Sequence, residues 1–343
     1  MNLKRVAFGT TTVVLGIVLV LLGCELLVRF LSPQPYYYPR YQYSEQYGHL
    51  MRKGVRIVNG LPGVYEFHYT TNEYGFRGPL VPASKIGDRH SMVIVGDSYS
   101  FGTGVDDGEE YSEVMQRLLG PDYVVNNIAV EGFTLTQEIR MFYEFGIQLR
   151  PQTVILQFCG NDPGENPAEP VTVYRDGHFV FRDTGDVSSP RIQAFLANSP
   201  IQKSQLYNFL RLRVIIPLYE KLHGESNYPG QTGDFDNHRP IKQDTLGSPL
   251  ERYYNDLFVP FAKDLKKRGI RMLMISVNGE VDRFPAIKAK ILELDHDGFL
   301  EYIDVQPWFL GVTDFGSPEG HKWGGKAHKI IGEHLAAVVQ TSR

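Results

Sequence analysis

Ser98 lies in Gly96-Asp97-Ser98-Tyr99-Ser100-Phe101-Gly102, directly after the apolar run at 92–95. A serine hydroxyl is a poor nucleophile and attacks a carbonyl only when a nearby base takes its proton. Gly96 lets the chain turn sharply at the end of the run and present that hydroxyl. Three further polar clusters follow later apolar runs: Asn126 to Gly132 after 123–125, Gly160-Asn161-Asp162 after 153–158, and Glu319-Gly320-His321 beyond 302–305. Gly-Asp-Ser and Gly-Asn-Asp, each taken alone, read equally well as turns whose polar side chains satisfy local backbone. Asp97 and Asp162 are read in that way, as residues that hold their loops rather than carry protons. Gly96-x-Ser98-x-Ser100 lacks the final glycine of the α/β-hydrolase nucleophile elbow.

The elements between these clusters alternate. Strands are predicted at 92–95, 123–125, 153–158, 271–277 and 302–305. Helices are predicted at 110–119, 134–149, 250–268 and 325–339. Such alternation predicts a three-layer α/β/α sandwich around a mainly parallel five-stranded sheet covered on both faces. Ligands in open sheets of this kind bind outside the carboxyl ends of the strands, so the four polar clusters converge on one rim. From 163 to 248 the alternation breaks. A hairpin is expected at 171–181, turning at Arg175-Asp176-Gly177-His178. A helix broken at Pro217 is expected at 200–222, followed by a polar loop at 224–247. This insertion is the candidate lid.

Composition removes several function classes. The chain has 343 residues and a formal net charge of −4. Its basic residues are scattered, which argues against a nucleic-acid partner. Of its two cysteines, Cys24 lies in the N-terminal apolar run, so Cys159 has no disulfide partner in the rest of the chain. No Cys/His spacing suggests zinc, and no glycine-rich phosphate loop is present, so no cofactor or metal is expected. Residues 6–24 carry no charge and follow Lys4 and Arg5. That run is long enough to span a bilayer, with the N-terminus in the cytoplasm and the bulk of the chain periplasmic or extracellular. Leu21-Leu22-Gly23-Cys24 offers a lipoprotein attachment site as the alternative. Residues 1–31 are thus expected as an anchor. Residues 32–85, rich in Pro and Tyr at their start, read as a juxtamembrane spacer and lead-in that includes a strand at 63–69. Residues 86–343 are expected as the main domain, with the insertion at about 163–248.

Gly96-Asp97-Ser98, Asn127 to Gly132 and Gly160-Asn161-Asp162, in that order after successive strands, resemble the SGNH (GDSL-like) hydrolase family in its membrane-anchored bacterial form. The resemblance implies Ser98 as nucleophile. It implies an oxyanion hole made of the Ser98 and Gly132 backbone N–H groups and the Asn161 side-chain amide. It also implies a base near the C-terminus. His321 fits by position, and His328 is its rival. Pro318, not an acid, stands three residues before His321, so the orienting acid is Glu319 in preference to Asp314. The implied activity is esterase chemistry outside the cytoplasm on an envelope glycan O-acyl group or a lipid ester. Two alternatives remain: an O-acyltransferase served by an envelope acyl-donor partner, and an inactive glycan-binding scaffold.

Overall fold

The computed structural model describes residues 3–34, 36–37, 40–164, 172–183, 200–215, 218 and 248–341. The expected loop at 224–247, the start of the hairpin at 171, the expected helix break at Pro217 and the end of that helix at 219–222 lie outside the described residues. In chain order the elements are α1 (Leu3–Leu31), β1 (Tyr36–Tyr37), β2 (Tyr41–Ser44), β3 (Gly48–Met51), β4 (Arg56–Leu61), β5 (Tyr65–Thr70), β6 (His90–Val95), α2 (Ser98–Phe101), α3 (Tyr111–Leu119) and β7 (Tyr123–Asn127). There follow α4 (Leu135–Glu144), β8 (Thr153–Phe158), β9 (Thr172–Arg175), β10 (His178–Phe181), α5 (Gln205–Leu210), α6 (Pro249–Lys267), β11 (Arg271–Ser276), α7 (Pro285–His296), β12 (Glu301–Ile303) and α8 (Gly325–Thr341).

Five strands pair in parallel in the order β12-β11-β8-β6-β7. This is the doubly wound 2-1-3-4-5 arrangement, whose strand order switches between β6 and β8. Every residue of β7 and β8 is buried, as strands covered on both faces require. Successive side chains point to opposite faces, so the strands feed two cores. Val93, Leu156 and Met274 pack with Ile139, Phe142, Phe258, Phe261 and Ile287 of α4, α6 and α7. Ile94, Ile155 and Ile275 pack with Met115 of α3 and Ile331 and Leu335 of α8.

Helix boundaries differ from expectation where local chemistry intervenes. The helix expected at 134–149 ends at Glu144 and continues as one 3-10 turn, Gly146–Leu149. Arg150, which takes φ 50, precedes Pro151, and a residue before proline is steered away from right-handed helix. The α6 helix begins after a capping box in which Ser248 and Glu251 bond each other's backbone N–H, both at 3.2 Å. The α7 helix was not expected, although Ile287, Ile291 and Leu294 are spaced i, i+4, i+7 and are all buried. The expected hairpin is present as β9 and β10. Its turn residues Asp176 and Gly177 both have positive φ, as a two-residue type I′ connection demands.

Segment 32–85 is more than the spacer and lead-in expected of it. Strands β2 and β3 form one hairpin, and β4 and β5 form another flanked by β1. Tyr47, Met51, Ile57, Phe67, Tyr69 and Phe76 join the same core as Val95, Phe101 and Phe133. Aromatic side chains of this size gain too much by burial to stay on a solvated linker. From Arg40 onward the segment is structurally part of the body that carries the central sheet.

Candidate active site

Ser98 is the first residue of α2, a single helical turn set directly beyond β6. Gly96 makes the turn feasible, because a Cβ there would lie 2.5 Å from Ser100 Oγ and 2.8 Å from Gln157 Oε1. Asp97 caps the turn, its side chain accepting from Tyr99 N at 3.0 Å. The Ser98 N–H, at the start of the helix, falls outside the helical hydrogen-bond ladder. Buried Arg77 holds the other end by donating to the carbonyls of Gly102 and, at 2.8 Å, Val105.

Across from Ser98, a tight loop brings in the base. Ser317 N donates to the His321 carbonyl at 2.8 Å, closing the loop on itself. Trp323 Nε1 donates to Asn278 Oδ1 at 2.7 Å and ties the following residues to the end of β11. The edge of the Tyr99 ring packs on the His321 imidazole, centroids 4.9 Å apart. His321 Nε2 lies 3.0 Å from Ser98 Oγ, and its Nδ1 lies 2.5 Å from Glu319 Oε1. A carboxylate can only accept from Nδ1–H, which leaves Nε2 as the lone-pair nitrogen facing the hydroxyl. Both the His321 and Glu319 side chains are buried. Ser98, His321 and Glu319 therefore form one continuous chain of hydrogen bonds.

The two alternatives from the sequence have other positions. Asp314 is exposed, in a turn with φ 55. His328 is fully buried in the first turn of α8, and its Nδ1 accepts from Tyr111 N at 3.2 Å. Burial, with help from the Arg77 and His321 charges, pushes its pKa down to about 3. It stays neutral and pins α8 to the start of α3.

The glycine cluster is bonded to the Ser98 turn, and the asparagine cluster to the glycine cluster. Gly132 has φ 76, a left-handed conformation that glycine adopts without strain. Val130 N donates to the Gly96 carbonyl at 3.1 Å, and Asn127 Nδ2 donates to the Ser100 carbonyl at 2.7 Å. These bonds fix the glycine segment against the Ser98 turn. Asn161 Nδ2 donates to the Phe133 carbonyl at 2.9 Å. That bond uses one of its two amide protons and leaves the other for a ligand.

Sequence reading missed the supports behind Gly132. His49 Nε2 lies 2.7 Å from the Glu131 carbonyl, which can only accept, so Nε2 carries the proton. This carbonyl belongs to the same peptide group as the Gly132 N–H. Burial lowers the His49 pKa and keeps the ring neutral. The Glu131 carboxylate is buried and receives Arg40 Nε at 2.8 Å, Tyr41 Oη at 2.9 Å and the Thr103 hydroxyl. The only signal in the chain was an acid inside a glycine segment. His49 and Arg40 lie about fifty residues before Ser98 and carry no motif.

Three more buried acids sit beneath the site. Burial raises Asp97 to about 6, against the lowering effects of the Tyr99 N–H and the His321 charge. Asp162 accepts from Cys159 N at 3.0 Å and is held well above the carboxylate range by burial and the Asp97 charge. Glu138 is raised likewise by burial and by Asp162 and Asp97.

The structure is similar to several solved structures. TesA is 13% identical over 74% of this chain and 99% of its own, with a TM-score of 0.41. The psychrotrophic esterase EstA from Pseudoalteromonas sp. is 11% identical, covering 74% and 98%, with a TM-score of 0.39. A carbohydrate acetylesterase from Sinorhizobium meliloti is 10% identical, covering 74% and 100%, with a TM-score of 0.39. No protein-family model and no curated protein matches the chain. At this level of likeness, the functional reading rests on the geometry of the site.

Proposed function

We propose that this protein is a serine esterase of the SGNH type. The observation that carries the reading is the Ser98–His321–Glu319 chain, with Nε2 3.0 Å from the hydroxyl and Nδ1 on the carboxylate. Ser98 Oγ attacks the ester carbonyl while His321 Nε2 takes the hydroxyl proton. Glu319 holds the ring and stabilises the imidazolium that forms. The Ser98 and Gly132 N–H groups and the free Asn161 proton receive the developing oxyanion. His321 then returns the proton to the leaving alcohol, and water releases the acyl group by the same steps in reverse order.

The catalytic machinery favours this reading over an inactive scaffold, because a binding protein has no need of a buried acid aligning a histidine on a serine. Phe8–Leu31 is the only candidate membrane span among the described residues. With Lys4 and Arg5 before it, it supports a tethered enzyme acting outside the cytoplasm on an envelope glycan or lipid ester. The test is hydrolysis of a short-chain p-nitrophenyl ester, with labelling by a fluorophosphonate probe. Wild-type protein is expected to turn over and label. Ser98→Ala is expected to lose labelling and at least about 10³ of kcat/KM. Equal turnover by the two proteins would remove Ser98 from the mechanism.

A further inference from the structure

The segment at 200–218 is built inside out. Its polar residues Gln205 and Asn208 are buried, at 2% and 5% exposure. Its apolar residues Ile201, Leu210, Val214, Ile215 and Leu218 are 40–53% exposed. A helix on the surface of a water-soluble protein shows the opposite pattern. Apolar groups turned outward are the expected arrangement where the surroundings are lipid.

The same segment is fastened to the candidate membrane helix. Glu25 of α1 accepts from Ser204 Oγ and Leu206 N, each at 2.8 Å, and from Gln205 N at 3.0 Å. Gln34 N donates to Gln205 Oε1. These bonds fix the height of the segment. Beyond Glu25, α1 continues for about 9 Å at 1.5 Å per residue through exposed Leu26, Leu27, Phe30 and Leu31, and the one charge in that stretch, Arg29, is paired with Glu25 at 2.8 Å. The start of α5 is therefore bonded at a level where α1 is still apolar on its outside. From 200 to 218 there are three basic residues, Lys203, Arg211 and Arg213, and no acidic one. Long basic side chains beside an apolar face suit the boundary between acyl chains and anionic headgroups.

We propose that residues 200–215 and Leu218 lie in the outer membrane–water interface beside α1, with Leu210, Val214, Ile215 and Leu218 in the acyl boundary and the basic residues among anionic phospholipid headgroups. The contact gives the catalytic domain a second hold on the bilayer and a fixed orientation to it. This inference rests on α1 being a membrane anchor, part of the function proposed above.

The test uses the full chain reconstituted into vesicles of phosphatidylcholine and phosphatidylglycerol. Cys24→Ser removes the one exposed cysteine, and Cys159 is buried. Single cysteines then replace Leu210, Ile215 or, as a control, Leu310, which is 83% exposed outside this segment. Each is labelled with bimane and challenged with nitroxide-bearing lipid and with aqueous iodide. Lipid quenching at 210 and 215, with iodide quenching only at 310, is the expected result. Iodide quenching at all three positions would overturn the inference, as would energy transfer between labels at 210 in different copies without lipid quenching. Carbonate extraction of the same vesicles tests the anchor separately. Chain released by carbonate would sink the anchor reading and this inference with it. Retained chain with water-exposed 210 and 215 would sink this inference alone.

Discussion

At the scale of single residues, the site depends on which proton sits on which nitrogen. Glu319 holds the His321 proton on Nδ1 and so leaves Nε2 able to accept from Ser98. Replacing Glu319 by Gln keeps the shape but offers Nδ1 an N–H donor, which favours the tautomer with its proton on the wrong side. Glu319→Gln is expected to lower kcat for a p-nitrophenyl ester by about 10³–10⁴ with little change in KM. A loss below tenfold would remove Glu319 from its orienting role. Ser98 was legible because strand ends concentrate polar residues in sheets of this kind, and His321 because its place near the C-terminus matches the family resemblance. The sequence already favoured Glu319 over Asp314 and His321 over His328; what it could not show was the loop folding back so that two residues of separation bring a carboxylate onto Nδ1.

Between elements, the informative relation is that of the β2–β3 hairpin to the segment carrying Gly132. The hairpin supplies His49, whose Nε2 proton bonds the carbonyl of the peptide that offers the Gly132 N–H. That bond blocks rotation of the peptide and polarises its N–H toward the pocket. His49→Phe keeps a ring against Tyr41 and Phe133 but removes the donor. Its kcat is expected to fall on the order of tenfold, less than loss of a direct oxyanion donor, with KM unchanged. His49→Gln, which can still donate, is expected to recover part of the loss. A phenylalanine variant with normal kcat and an unaltered circular dichroism spectrum would show the bond to be structural only. The strands and most helices of the central domain were readable from periodicity. This hairpin's part in the site was not, because contacts between distant segments leave no local pattern.

At the scale of the whole molecule, the catalytic rim is supported on a layer of buried acid. Glu138 is fully buried, with its carboxyl raised well above the ordinary range by burial and by its acidic neighbours. The folded chain therefore keeps a proton on Glu138 that the unfolded chain releases above about pH 4.5. With more protons bound in the folded state, stability falls as pH rises through that window. One such group changes stability by about 1.4 kcal/mol per pH unit. Glu138→Gln removes the dependence. Thermal melts are expected to show Tm of the variant rising relative to the wild type between pH 5 and pH 8.5, with no gain at the acid end. A constant difference across that range would mean that Glu138 titrates normally.

The amino-acid sequence by itself determined the five alternating strands of the central sheet, most of the helices around them and the apolar N-terminal helix, which depend on short-range properties such as periodic burial and turn-forming glycines. Ser98, Gly132, Asn161 and His321 emerged as candidates for acyl chemistry through the family resemblance of the motif blocks. Only the tertiary structure set Glu319 Oε1 against His321 Nδ1, made His328 a neutral strut, and built the segment before residue 86 into the wall behind Gly132. It alone also fastened 200–218 to the apolar helix. Each of these is a contact between parts far apart in the chain or a turn of one specific shape, and such relations exist only once the core has closed around them.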